Sequence, residues 1–165
     1  MFIGIDIGRY GGVGLIDPNG TLIDYFAMTD YYKIADRLEG HIKHNDSGFV
    51  TTYVEDVGAM PKQGVSSMFT FGRSLGSIEG LLIGLRIPYQ LIKPKAWQKV
   101  MYRSIDRKGC KTPKERAFRA IRQLYPTASF VMEGCRVEHD GVIDALLIAC
   151  AARRLNLAAS NNKIN

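Results

Sequence analysis

The 165-residue sequence has no apolar run approaching the roughly 20 residues needed to cross a bilayer. Its N-terminus enters a strand-like stretch with no basic flank or cleavage signal, so no targeting segment and no membrane partner are expected, and the expected location is the cytoplasm. Cysteine is scarce: Cys110, Cys135 and Cys150 are odd in number and include no C-x-x-C pair, which argues against a disulfide framework and a zinc ribbon. Internal repeats, low-complexity tracts and linkers are also missing. One domain over 1–156 is therefore expected, with 157–165 as a flexible C-terminal tail. Negative charge is in deficit, with 16 Asp+Glu against 22 Lys+Arg, a net charge of +6 and a pI near 9.3. Such a balance favours a polyanionic partner without choosing one. The remaining composition, 46% hydrophobic and 23% charged, is that of an ordinary globular domain.

What is present begins with a short apolar run, Met1 to Ile5, that delivers Asp6 into the turn Ile7-Gly8-Arg9-Tyr10-Gly11. Gly12 to Ile16 reads as a second strand. Asp17-Pro18-Asn19-Gly20 supplies hairpin chemistry, and Thr21 to Phe26 reads as a third strand, so the chain opens as an antiparallel meander. Thr29 or Asp30 can cap a helix carrying Ile34, Ala35, Leu38 and Ile42. Phe49 to Val54, β-branched and aromatic, is the fourth strand and ends on Glu55-Asp56. A right-handed crossover through the helix sets it parallel to the first.

Val65 to Leu85 reads as one long helix in which Gly72, Gly76, Gly80 and Gly84 recur every fourth residue. Helical glycine is unfavourable, so the stripe implies close approach of another surface, either the sheet or a second helix across a dimer. Pro88 to Ile92 is a fifth strand, and Lys95 to Met101 a short helix with Trp97 over the sheet end. The densest basic segment follows, with Arg103, Arg107, Lys108, Lys111 and Lys114. It reads either as a solvated loop or as a phosphate contact. Thr112, Pro113 and Glu115 mark the start of a helix that runs to Leu124. A last helix spans about Asp140 to Leu155.

Four acids stand apart. Asp6 is a turn former or a ligand when taken alone. Glu55 ends a strand parallel to its own, which brings both carboxylates to one sheet edge. Asp140 and Asp144 lie four apart on one helical face; Asp140 alone fits an N-cap, but Asp144 precedes Ala145-Leu146-Leu147-Ile148-Ala149 and faces inward, where a carboxylate needs a cation. An all-oxygen set of this kind suits hard divalent ions such as Mg²⁺, and a pair of them can hydrolyse a phosphodiester. Gly8, Gly11 and Gly12 then keep the approach to the metal narrow and free of side chains.

Three ordered segments also carry a family resemblance: Ile3-Gly4-Ile5-Asp6-Ile7-Gly8, then Tyr53-Val54-Glu55-Asp56-Val57, then His139-Asp140-Gly141-Val142-Ile143-Asp144-Ala145-Leu146-Leu147-Ile148-Ala149. Together they resemble the RuvC-type Holliday junction resolvases. With Met60-Pro61-Lys62-Gln63-Gly64-Val65-Ser66-Ser67-Met68-Phe69 and Phe71-Gly72-Arg73-Ser74 between them, the similarity is to the phage-encoded branch.

The resemblance implies an RNase H-like α/β fold. Its mixed five-stranded sheet would have the first three strands antiparallel and the rest parallel, with helices on both faces. It further implies a homodimer that resolves four-way DNA junctions by paired symmetric nicks, using two Mg²⁺ per active site, with Mn²⁺ as a substitute. The metal and catalytic roles carry onto Asp6, Glu55, Asp140 and Asp144. Met60, Pro61, Lys62 and Gln63 become candidates for entering the junction core, and Arg73, Lys95, Lys99, Arg107, Lys108, Lys111 and Lys114 for contacting DNA. The sequence departs from the bacterial pattern in Ile7, where proline is usual, and in helix acids four apart rather than three. The second departure leaves the register of Asp140 open, with His139 as an added ligand, a residue beside the attacking water, or simply a cap. Two other readings remain: an RNase H-like RNA-processing nuclease, and a non-catalytic junction-binding protein. Actin-like ATPases share Asp6-Ile7-Gly8 but need two domains and a longer chain.

Overall fold

Phe2–Asp6 form β1, whose alternating side chains feed two separate apolar layers. In the computed structural model, which describes residues 1–161 other than 46, 47, 57, 59–63 and 107, β1 is followed by β2 (Gly12–Ile16) and β3 (Leu22–Ala27). Then come α1 (Tyr31–Lys43), β4 (Thr51–Glu55), α2 (Val65–Gly84), β5 (Tyr89–Ile92), α3 (Pro94–Met101), α4 (Pro113–Leu124) and α5 (Asp140–Asn161). The sheet order is β3-β2-β1-β4-β5. β1–β2 and β2–β3 are antiparallel, whereas β1–β4 and β4–β5 are parallel. This is the mixed sheet anticipated from the sequence.

Ile3, Ile5 and Ile7 point to one face, where Val13, Leu15 and Val54 join Ile34 and Leu38 of α1 and Ile78 and Leu82 of α2. Phe2 and Ile16 point to the other, against Trp97 and Met101 of α3, Ala117 and Ile121 of α4 and the long apolar side of α5. Helices therefore cover both faces. Local signals start them as read: Asp30 accepts the Tyr32 N–H at 2.9 Å to begin α1, and Thr112 Oγ1 accepts the Glu115 N–H at 3.1 Å to begin α4. The helix expected to stop near Leu155 continues to Asn161, because Leu157, Ala158 and Ala159 are good helix formers with no glycine or proline among them.

Of the two surfaces expected to meet the α2 glycines, the sheet is not one. A Cβ built on Gly72, Gly76, Gly80 or Gly84 of α2 would meet nothing within 4 Å, so this stripe is not what packs on the sheet. The close contact is made instead by α5. A Cβ on Gly4 would lie 2.0 Å from the Ala145 carbonyl oxygen and 2.4 Å from the Ala149 nitrogen, and one on Gly14 would lie 2.8 Å from the Leu146 nitrogen. Gly4 and Gly14 are cross-strand partners, so together they form a bare patch on which the helix backbone rests. Gly12 seats Val142 in the same way, at 2.7 Å from its backbone, and Gly141 on the helix approaches the Tyr10 carbonyl oxygen at 1.9 Å by the same measure. Gly12 thus seats the helix, while a Cβ on Gly11 would lie 2.2 Å from the Asp6 carbonyl oxygen, so Gly11 lets the turn after β1 close tightly.

Gly4→Ala is expected to cost about 3 kcal/mol or more, the upper end for overpacking, because the clash is with backbone that cannot rotate away. Gly40→Ala, at an open position inside α1, should instead gain roughly 0.5–1 kcal/mol. Urea unfolding of both variants beside the parent checks this; Gly4→Ala unfolding at the parent's midpoint would contradict the close seating of α5.

Candidate functional site

The parallel pairing of Ile5 with Val54 places Asp6 and Glu55 next, side by side at the ends of β1 and β4. Alternation turns both toward α5, since Phe2 and Tyr53 of the same parity lie on that face. α5 begins against the turn after β1, where Gly11 and Gly141 form a parallel bridge. One turn later Asp144 arrives above the two strand ends.

Electrostatics record how near these acids are. The Asp6 carboxyl is raised well above the ordinary range by burial, then by the charges of Glu55 and Asp144 and by a hydrogen bond shared with Glu55. Asp144 is pushed up to about 7 by burial, then by Glu55, then by Asp140. Asp140 itself is exposed, and Lys114 Nζ lies 2.7 Å from its Oδ2. Thus Asp6, Glu55 and Asp144 share one buried volume, with Asp140 at its rim.

Neighbouring groups hold the carboxylates. Trp97, fully buried on α3, donates its Nε1–H to Glu55 Oε1 at 2.8 Å. Its ring meets Tyr102 edge to face at 5.7 Å. The Tyr102 phenol is raised by burial and then by the nearby Asp144 charge. Asp56, the other acid of the doublet, pairs with Lys93 at 2.6 Å, so the register of β4 selects Glu55 as the inward acid. His139 takes the capping role among those left open: its Nδ1 accepts the Val142 N–H at 3.3 Å and its carbonyl accepts the Ile143 N–H at 3.1 Å. A cavity of about 210 Å³ opens beside the acids, bounded by Gln98, Tyr102, Lys114, Phe118, Asp140 and Asp144.

All donors here are hard oxygens, and the two raised carboxyls are those a cation would relieve; in chemical type the set fits a divalent ion. Among the described residues, no three His, Cys, Asp or Glu side chains already stand in the arrangement of a metal cage. An ion would therefore have to draw the carboxylates inward.

The candidate DNA contacts fall on several elements. Lys95 and Lys99 are exposed on α3, Lys108 and Lys111 lie in the segment before α4, Lys114 is in the first turn of α4, and Arg73 is exposed on α2. Met60, Pro61, Lys62, Gln63 and Arg107 lie outside the described residues. The sequence pattern does not point to Trp97 as the partner of Glu55 or to Tyr102 beside the acids, because nothing in a linear pattern pairs an indole or a phenol with a particular carboxylate.

No protein-family model and no curated protein sequence matches the chain at a significant level. Solved structures do. RuvC from T. thermophilus in complex with Holliday junction substrate aligns with a TM-score of 0.61 at 16% identity, covering 94% of each chain. A second Thermus thermophilus RuvC structure aligns with a TM-score of 0.57 at 16% identity, covering 94% of this chain and 95% of that one. The likeness establishes the RuvC-type, RNase H-like fold. No helix among the described residues is long and apolar enough to cross a membrane.

The raised Asp144 carboxyl gives a signed prediction. Its folded pKa of about 7 exceeds the ordinary value of 3.8, so the folded state holds a proton that the unfolded chain has released. The associated stability is fully present below about pH 4 and is lost as pH rises through about 7. In chelator, Asp144→Asn should therefore gain on the parent between pH 4 and pH 8, by on the order of 3 kcal/mol. Urea midpoints across that range measure it; a difference that does not change with pH would show that Asp144 ionises freely.

Proposed function

We propose that the protein is a metal-dependent, structure-selective DNA endonuclease that resolves four-way junctions by paired nicks. One observation carries the reading: three carboxylates on the ends of β1, β4 and the first turns of α5 share a buried volume, while Lys114 stands at their rim and Lys95 and Lys99 of α3 line the adjoining cavity. Repulsion concentrated in this way has a use where a cation is to be bound next to a phosphodiester. A fold match to a RuvC solved with Holliday junction substrate supports the choice of substrate.

In this reading Asp6, Glu55 and Asp144 would hold the metal. Asp140, now paired with Lys114, would be available as a further ligand at the rim. Trp97 keeps Glu55 oriented by its hydrogen bond, and Tyr102 walls the site from water on the α3 side. Bound there, two Mg²⁺ would activate a water and steady the leaving oxygen, with Mn²⁺ as a substitute. Lys95, Lys99, Lys108, Lys111 and Lys114 take the DNA backbone, with Arg73 and Arg107 as further contacts. Met60, Pro61, Lys62 and Gln63 enter the junction core; they and the motif through Ser74 are what the sequence offers for the phage-encoded branch.

A homodimer supplies the symmetry for paired cuts. Its support is the outer face of α2, where Val65, Phe69, Gly72, Gly76, Gly80 and Ile83 follow at steps of three and four. Val65 is 85%, Phe69 71% and Ile83 66% exposed, and among the described residues nothing lies within 4 Å of a Cβ built on these glycines. An apolar, glycine-lined face of this kind suits a second copy of the same helix at short distance.

A synthetic four-way junction, a matched duplex and a structured RNA, each with and without Mg²⁺, test the activity. Paired nicks in the junction alone are expected. Asp6→Asn should lose them by about a hundredfold or more, equivalent to roughly 3 kcal/mol of transition-state stabilisation, while still binding the junction. Cleavage of RNA but not junctions would favour the RNA-processing reading, and binding without cutting the non-catalytic one. Gly76→Leu on the open α2 face should leave the fold intact, shift gel filtration to the monomer, and turn paired nicks into single ones.

A further inference from the structure

Behind Tyr102, on the side away from the carboxylates, lies a second cavity of about 620 Å³. Lys95, Lys99, Arg103 and Arg116 line it, with Gln98 and Tyr102 forming the wall it shares with the acidic cavity. Among the described residues Asp106 is its one carboxylate, and Asp106 Oδ1 already accepts the Lys108 N–H at 2.9 Å. Among the described residues, none of the four cations has an ion-pair partner. Arg116 Nε is buried with no hydrogen-bond partner, while its guanidinium stands 5.8 Å from the centre of the Tyr102 ring.

A buried guanidinium N–H left without an acceptor is costly, and four cations around one hollow repel each other. Both conditions are relieved by one anion with several oxygens. A planar fork such as Arg116 favours a phosphate or carboxylate taken by two N–H groups. Because the hollow shares the Tyr102–Gln98 wall with the acids, a strand passing from one to the other puts successive phosphates on the two sides of Tyr102. We propose that Arg116, with Lys99 and Arg103, forms an anion subsite for a phosphodiester of the DNA strand flanking the bond held at the carboxylates. Tyr102 is the partition that sets the spacing. This rests on the junction-nicking reading and adds to it a strand-positioning site made of residues that carry no metal.

The experiment is junction binding in chelator, so that no cutting intervenes, with single neutral methylphosphonate linkages scanned along each strand. Arg116→Gln should lower affinity by about five- to thirtyfold and reduce the slope of log affinity against log salt by about one phosphate's worth. One methylphosphonate should weaken the parent by a similar factor and have no further effect in Arg116→Gln. Lys99→Gln, at an exposed helical position, should be similarly non-additive with the same linkage and serves if Arg116→Gln fails to fold. Full additivity at every linkage, or unchanged affinity in both variants, overturns the proposal. So does competition by inorganic phosphate at Arg116, read from its Nε–H resonance, without any linkage-specific effect, since the hollow would then serve a free anion. A protein that binds junctions but never cuts them with Mg²⁺ sinks the nuclease reading while the linkage test still decides the subsite.

Discussion

The arrangement depends on a helix that touches a sheet with nothing in between. Ordinary helix-on-sheet packing is separated by side chains from both layers. Here Gly4, Gly12 and Gly14 remove the sheet's contribution along one line, and Gly141 removes the helix's at the point of entry. The distance gained brings Asp144 into the same buried space as Asp6 and Glu55; with ordinary side chains beneath it, α5 would ride higher and its acid would sit apart from theirs. Because Gly4 and Gly14 face each other across β1 and β2, the seat also fixes the helix laterally, and with it the direction in which Asp144 projects.

Such proximity works against folding. Two carboxyls in the cluster are held above their usual range by burial and mutual charge, and only part of this is answered by neighbours. Trp97 satisfies one oxygen of Glu55, and Lys114 draws Asp140 outward. The large apolar layer of α3, α4 and α5 supplies the stability against which the unfavourable charge arrangement is set. Across Tyr102 the imbalance is reversed, with Lys95, Lys99, Arg103 and Arg116 lining a cavity and in no ion pair among the described residues. Opposite charge excesses a single side chain apart give the surface a polarity that a polyanion carrying bound cations can match at both ends.

Much of this was readable in the linear sequence, for reasons that are local. Strand alternation, the Asp17-Pro18-Asn19-Gly20 turn, and the caps at Asp30 and Thr112 act over a few residues, and the crossover rule converted them into the parallel pairing of β1 and β4. That pairing placed Asp6 beside Glu55, and the apolar run after Asp144 turned that acid inward. The glycines were harder to interpret. A four-residue spacing on α2 invites a packing role, yet the glycines that carry weight are scattered at 4, 12, 14 and 141 and become one surface only through strand register and helix docking. Arg116 is hidden for a similar reason: its Nε is buried with its guanidinium near the Tyr102 ring, a proximity that no spacing in the chain encodes. His139 was separable only by seeing where Nδ1 points.

The indole of Trp97 has one further consequence. It is the chain's single tryptophan, and its N–H is bonded directly to Glu55 in the acidic cluster. Its emission therefore comes from one place, beside the carboxylates, and the electric field there changes with each proton lost or cation gained. Steady-state fluorescence of the unlabelled protein is thus a spectroscopic gauge of the cluster's charge state, with no dye, isotope or substrate required.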